Sequence, residues 1–309
     1  MTTMLPLIDR PVDATALAEY MTCPRAYYYS MVEHRRGEGR KPALTFGAAW
    51  HKAMELHYRT DGDESAVFTG VTLAWEDHEA AGDYRSLERI LIDYRKYLAF
   101  YGKPSKEEGK TIGWPEQPLL EITAELSGGG LINPYTGKLD RLFEMDGLVY
   151  VEDHKTTSRL DKYYFMQFDL SQQMMGYALL AKLLLPDRVV AGVRINVSHV
   201  LTSKTEFHRQ LVTFSPDRIR EFVHNTNTQA MRLQHDYATL AKEREDALDL
   251  FPGDGISYAF PGHYGDNGCS RKFGACAFTG VCSSAPRARR HILNTDFQVN
   301  RWNPLEADL

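Results

Sequence analysis

Two aspartates and a lysine are the residues of this sequence best placed to do chemistry together: Asp140 in GKLDRLFEM, and Asp153 and Lys155 in LVYVEDHK. Between the two runs stands Asp146-Gly147. This pair favours a type I′ turn, because both central positions of that turn need positive φ. If these two residues are the whole turn, Met145 faces Leu148, Leu142 faces Val151, and Asp140 faces Asp153. Phe143 then pairs with Tyr150 and Arg141 with Glu152, an aromatic and a salt pair of the kind that stabilises sheets. Asp140 and Asp153 are then like charges roughly 5 Å apart, which destabilises a sheet holding nothing between them. A divalent cation relieves that repulsion. Lys155 lies two residues beyond Asp153, so the period of a strand puts it on the same face. Carboxylates that can hold Mg²⁺ or Mn²⁺, with an ammonium beside them, are what phosphodiester hydrolysis requires. D-x-K alone fits a solvent-facing hairpin equally well; the matched Asp140 favours the chemistry.

The elements that must position these residues can be read from spacing. Residues 14 to 33 read as a helix with Asp13 as N-cap. A Gly/Pro/charge-rich stretch, GEGRKP, separates it from a second helix around 45 to 59. Leu87, Ile90, Leu91, Tyr94 and Leu98 recur at helical spacing within 84 to 101, a core-facing stripe. From about residue 117 the pattern changes to strands: LLEITAEL, GKLDRLFEM and LVYVEDHK. SQQMMGYALLAKLLL follows as a helix, VVAGVRINVSHVL and TEFHRQLVTF as strands, and 216 to 247 as a long helix. The tail after residue 251 reads as loop. This order predicts an α/β core with a helical N-terminal part.

Composition sets outer limits. With 43% hydrophobic and 25% charged residues, the 309-residue chain is ordinary for a globular protein. No apolar run reaches bilayer length. The start, MTTMLPLIDR, lacks the basic and apolar regions of a signal peptide, so a cytoplasmic protein is expected. A net charge of −5 argues against coating nucleic acid by bulk positive charge, but leaves room for a local basic groove. Arg35, Arg36, Arg40 and Lys41, or Arg287, Arg289 and Arg290, could line such a groove or form a solvated charge run.

The run GKLDRLFEMDGLVYVEDHKTT resembles the signature of the RecB-like branch of the PD-(D/E)XK nuclease superfamily. In that branch a G-x-x-D-R strand precedes a D-x-K-T strand and a helix with Q-x-x-x-Y, matched here by Gln173 and Tyr177. FGAAWH resembles the family's G-x-x-x-H segment, and CPRAYYY its C-P-x-x-[YF] opening. The resemblance implies a mixed sheet flanked by helices, and a divalent-metal site of His51, Asp140, Asp153 and the backbone carbonyl of His154. It makes Lys155 catalytic, with Gln173 positioning Lys155 or DNA. It also implies one nuclease domain over 1–309. Within it lie a mainly helical part over 1–116, a core over 117–250, and a cysteine-rich segment over 251–309 that completes a cluster with Cys23. Glu121, on the preceding strand, could assist the metal or serve the strand structurally.

The chain has four cysteines, Cys23, Cys269, Cys276 and Cys282. A cytoplasmic setting disfavours disulfides, so four with none spare suggest a four-thiolate site. Zinc and a [4Fe–4S] cluster both suit such a set. One early cysteine plus three late ones resembles the iron–sulfur nucleases of the same branch, including AddB-type and CRISPR-associated RecB-like exonucleases. The Cys269–Cys276 spacing is longer than usual there. A cluster spanning Cys23 and Cys269 would act as a clasp, limiting the unfolded chain by roughly 5 kcal/mol of loop-closure entropy.

The function expected is therefore a metal-dependent deoxyribonuclease acting on single strands or DNA ends. Possible partners are proteins of DNA repair, recombination or CRISPR adaptation. A non-catalytic nucleic-acid-binding iron–sulfur module of the same fold is the alternative. The chain has no G-x-x-x-x-G-K-[ST] motif, so no helicase motor is expected in it.

Overall fold

Alternating apolar and polar residues between positions 110 and 213 build one mixed sheet in the computed structural model. The model describes residues 11–37, 42–75, 83–245, 258–265, 268–271 and 274–303. Five strands run in the order Lys110–Thr111, Tyr135–Met145, Leu148–Thr157, Val190–Val200 and Thr205–Thr213, and Leu120–Leu126 also pairs with Tyr135–Met145. Leu148–Thr157 and Val190–Val200 run parallel. Lys110–Thr111 pairs antiparallel with Tyr135–Met145, Tyr135–Met145 with Leu148–Thr157, and Val190–Val200 with Thr205–Thr213. Parallel strands need a crossover, and the helix Gln172–Leu184 supplies it. This is the expected mixed α/β sheet with flanking helices.

The described residues fall into two compact units. One comprises those within Arg40–Gly129 and Thr136–Phe222 and holds most of this sheet. Its helix Pro42–Arg59 buries Phe46, Ala49, Trp50, Ala53, Met54, His57 and Tyr58, an unbroken three-and-four spacing that makes one face of a helix apolar. That face packs with Val67, Val71, Ile90, Tyr94, Tyr97, Val200 and Phe207. The helix Leu87–Tyr101 starts at Ser86, whose side chain accepts from the Arg89 N–H. Leu91 and Leu98 of its predicted stripe are only partly buried. Asp93, fully buried on the same helix, is held by Arg89 Nε at 2.7 Å. The helix Glu64–Ala74 has no counterpart in the sequence reading.

The second unit takes the described residues of Met1–Gly39, Gly130–Tyr135 and Val223–Pro304. Here two expectations need correction. Residues 14 to 33 are not one helix. Ala14–Thr22 stops at Cys23, which is extended at φ −160°, and Pro24 begins a new turn, Pro24–Tyr27, followed by a wide turn Tyr28–Val32. Proline drives the residue before it out of helical space, so the break falls on the cysteine. The tail is also more ordered than loop. It forms helices Thr279–Ser283 and Pro286–Thr295, and its strand Phe297–Val299 pairs with Arg35–Gly37. The long helix is described over Pro216–Glu245. Tyr20, Tyr27, Tyr28, Tyr29, Leu233, Phe260, Phe278 and Leu293 form the unit's core.

Several candidate groove arginines have partners within this second unit. Arg35 Nη1 donates to the Leu293 carbonyl at 2.9 Å, Arg36 lies over the Trp302 ring, Arg289 donates to the Cys282 carbonyl, and Arg290 pairs with Glu33. Arg287 is exposed, and Arg40 and Lys41 lie outside the described residues.

Candidate metal centre

The hairpin adopts the register its turn residues specify. Asp146 and Gly147 have φ of 52° and 75°, and the ladder pairs Met145 with Leu148, Phe143 with Tyr150, Leu142 with Val151 and Arg141 with Glu152. Asp140 and Asp153 are the next residues on the two strands. Both are buried. The Phe143 and Tyr150 rings stack at 5.5 Å.

One face of the strand pair is pinned by buried charge. Arg141 Nη1 donates to Glu152 Oε2 at 2.7 Å, and Arg194 Nε to Glu152 Oε1 at 2.8 Å. Neither Arg141 nor Glu152 has measurable exposure, and the arginines hold the Glu152 carboxyl well below its ordinary range although burial pushes it up. His154, also buried, stacks on Tyr58, and its Nδ1 lies 3.0 Å from Asn196 Nδ2. The amide can only donate, so Nδ1 accepts and the proton sits on Nε2. Burial pushes this imidazole down to about 4 and keeps it neutral. The His154 side chain is thus committed elsewhere, and only its backbone is open to the role the resemblance implies.

The reactive groups converge around Asp140. The His154 N–H donates to Asp140 Oδ2 at 2.7 Å, and His51 Nδ1 lies 3.3 Å from the same oxygen. His51 comes from the helix Pro42–Arg59, one residue past buried Trp50. Ligand atoms of His51, Glu121 and Asp140 all lie within 4.8 Å of one another. Lys155 Nζ donates to Asp153 Oδ1 at 2.8 Å and lies 3.5 Å from Gln173 Oε1. Gln173 Nε2 in turn donates to the Tyr177 hydroxyl at 2.9 Å, across one helical turn.

Glu121 is the residue that sequence reasoning undervalued. Its side chain joins the cluster and pairs with Lys138 Nζ at 2.8 Å. Its backbone has φ of 51°, a costly conformation for a non-glycine residue and one that concentrates at functional sites. No sequence signal announces that geometry.

The electrostatics describe a site short of positive charge. Burial would raise Asp140, but His51, His154 and Lys155 outweigh it and hold the carboxyl well below its usual range. Burial and the Asp140 charge push Glu121 up to about 7 despite Lys138. Burial, with Asp140 adding to it, raises Asp153 although Lys155 opposes. Burial alone would depress Lys155, yet Asp153 and Asp140 raise it, so the ammonium stays charged. Asp153 Oδ2 and Glu121 Oε1 are buried without a hydrogen-bond partner. Buried acceptors of this kind normally carry a partner.

The four cysteines are free thiols in the other unit. Cys23 and Cys276 are buried, and Cys23 Sγ accepts the His263 N–H at 3.4 Å. The Cys276 N–H donates to the Cys269 carbonyl at 2.8 Å. Burial raises the Cys276 and Cys282 thiols, Cys23 adds to both shifts, and Arg271 opposes the first while Arg25 and Arg289 oppose the second. Cys23, Cys276 and Cys282 thus lie within electrostatic reach of one another. Among the described residues, no three of the sulfurs fall within 4.8 Å of each other.

A mixed sheet carrying a carboxylate–lysine hairpin, faced by a helix with a histidine, defines the fold and the site together. The chain belongs to the PD-(D/E)XK nuclease superfamily, whose family model matches residues 12–283. Two solved structures are similar to it. One, from Eubacterium rectale and provisionally named an exonuclease, is 12% identical, with 73% of this chain and 82% of that chain covered and a TM-score of 0.42. The other, SSO0001, is also 12% identical, with 72% and 78% covered and a TM-score of 0.31. No curated protein matches the chain. No helix among the described residues is long and apolar enough to cross a membrane.

Proposed function

We propose that the protein is a divalent-metal-dependent deoxyribonuclease that works as an exonuclease on single strands or DNA ends. The observation that carries this reading is the pair of buried, unpartnered carboxylate oxygens, Asp153 Oδ2 and Glu121 Oε1, beside the Asp140–His51 contact and a charged Lys155. One imidazole nitrogen among carboxylate oxygens suits Mg²⁺ or Mn²⁺, with the nitrogen favouring Mn²⁺. His51, Glu121, Asp140, Asp153 and the His154 carbonyl would hold the ion. The chemistry supplied by a cation there is charge neutralisation on the phosphate and a lowered pKa for water.

The chain's own residues do the rest. Lys155 keeps its proton and offers its remaining N–H to a phosphate oxygen or to the attacking water. Asp153 Oδ1 and Gln173 Oε1 fix the direction of that ammonium, and Tyr177 fixes Gln173. The whole chain is read as one nuclease domain, with a mainly helical part over 1–116, a core over 117–250 and a cysteine-rich segment over 251–309. Cys23, Cys269, Cys276 and Cys282 are assigned to a structural [4Fe–4S] cluster, with zinc as the weaker candidate. Free thiols flanked by Arg25, Arg271 and Arg289 suit an anionic group. A RecB-like subtype, a cytoplasmic setting and partners in DNA repair, recombination or CRISPR adaptation belong to the same reading.

The test is degradation of fluorescent single-stranded DNA with Mn²⁺. Cleavage that disappears in Asp153→Ala and Lys155→Ala supports the proposal; binding without cleavage by the wild type rejects it.

A further inference from the structure

The segment that follows the Asp153 strand leaves a row of large apolar side chains in water. Tyr163 is 60% exposed, Met166 60% and Leu170 64%. Isolated exposed apolar residues are ordinary, but three within eight positions beside a reactive centre call for an occupant. The segment is firmly seated. Phe168 is buried and packs edge-on with Tyr164 at 5.6 Å, and Phe165 lies 5.4 Å from Tyr164. The Tyr163 N–H is held by Asp161 Oδ1 at 2.8 Å. The Met166 N–H donates to the Tyr163 carbonyl at 3.1 Å, closing a three-residue turn.

The row is tied to the reactive centre. Thr157, the last residue of the Asp153 strand, donates from Oγ1 to the Arg159 carbonyl at 2.9 Å, and Tyr164, between the anchor and the exposed ring, feels the charges of Lys155 and Asp153. Lys162 Nζ lies 4.8 Å from the centroid of the exposed Tyr163 ring, and Arg159 is exposed on the same segment. Of the segment's two exposed acids, Asp161 is engaged with the Tyr163 N–H and Asp169 stands at the far end beside Leu170. An exposed tyrosine ring with a lysine and an arginine just before it, followed by two apolar faces on the segment that leaves the Asp153 strand, matches unstacked bases on a phosphate backbone. Paired bases inside a duplex cannot reach such faces.

We infer that Tyr163, Met166 and Leu170 form a base-stacking platform for a single DNA strand, with Lys162 and Arg159 meeting its phosphates. This rests on the deoxyribonuclease reading and narrows its substrate to unpaired strands. The full chain is tested by fluorescence anisotropy in Ca²⁺, against a fluorescein-labelled oligothymidylate, an abasic strand of equal length and a blunt hairpin duplex. Tyr163→Ala should bind oligothymidylate about tenfold more weakly. It should bind the abasic strand as the wild type does, with an unchanged salt slope, and Tyr163→Phe should restore affinity. Lys162→Ala should instead lower the salt slope by about 0.7 for either strand. The platform is overturned if the Tyr163/Met166/Leu170 triple alanine variant, with an unchanged melting curve, binds oligothymidylate as tightly as the wild type. It is also overturned if the wild type does not distinguish thymidylate from the abasic strand. A wild type that stacks bases yet never cleaves in Mn²⁺ removes the nuclease reading and leaves the platform. Normal cleavage with unaltered binding by the variants does the reverse.

Discussion

Asp140 and His154 are joined across the hairpin by a 2.7 Å hydrogen bond from the His154 N–H to Asp140 Oδ2. The bond fixes a carboxylate of one strand against the backbone of the next, midway between Asp153 and Lys155. His51 approaches the same oxygen, so Asp140 is held from two elements.

Asp140→Asn should therefore keep the fold while removing the charge that His51 and Lys155 face. Loss of several kcal/mol of charge stabilisation predicts a fall in kcat/KM of roughly 100-fold or more. Steady-state cleavage with Mn²⁺, alongside a melting curve, checks both halves. Retained activity would mean that Asp140 is not a ligand.

Glu121→Gln tests the residue whose two sequence readings, metal ligand or structural strand residue, the tertiary structure weighs toward the metal. Mn²⁺ binding measured by calorimetry should weaken about 10- to 100-fold, the scale on which shell residues act. An unchanged affinity assigns Glu121 to the Lys138 pair alone.

Gln173 acts through Lys155 and should be read as a positioning residue. Gln173→Ala should lower kcat about tenfold with little change in Mn²⁺ affinity. Tyr177→Phe should reproduce a weaker version of the same split, because it removes only the hydroxyl that holds the amide.

Glu152→Ala attacks the other face of the hairpin, where the carboxylate serves both Arg141 and Arg194. Removing one partner of a buried ion pair costs about 3–5 kcal/mol, since it strands the remaining charge. Urea unfolding should show that loss. A change below about 1 kcal/mol would indicate that Glu107, 3.7 Å from Arg141, takes over.

Acid should weaken the fold through His57. This imidazole is fully buried beside the Tyr94 hydroxyl, and burial with the Arg209 charge pushes it down to about 3. The unfolded chain therefore binds a proton near pH 6.5 that the folded chain refuses until about pH 3. Stability is complete above pH 6.5 and falls between these limits, by up to about 1.4 kcal/mol per pH unit from this group. His57→Gln should flatten that part of the stability–pH curve, as followed by denaturant midpoints.

For the cysteines, anaerobic purification should give a brown protein whose visible absorption bleaches on reduction, and iron chelation should lower the melting temperature sharply. An unchanged transition after complete iron loss would remove the clasp.

Much of the candidate site is legible because it is local. Asp146-Gly147 accepts positive φ at both positions, so the turn and the register from Met145–Leu148 to Arg141–Glu152 follow from a few adjacent residues. Lys155 follows from strand period, whereas Gln173 and Tyr177 are reached only through motif resemblance. Motif resemblance located His51 from outside the hairpin. What the sequence could not carry is long-range or conformational. The strained backbone of Glu121 and its approach to Asp140 depend on a neighbouring strand and on Lys138. The Arg141–Glu152 pair read as an ordinary cross-strand contact, but recruitment of Arg194 from a strand more than 40 residues away makes it a buried charge network. One break is local as well: Pro24 ends the first helix at Cys23 through its own covalent geometry. Local stereochemistry fixes turns, periods and breaks within a few residues. Which distant side chains share a buried, low-dielectric space is decided only when the chain has packed.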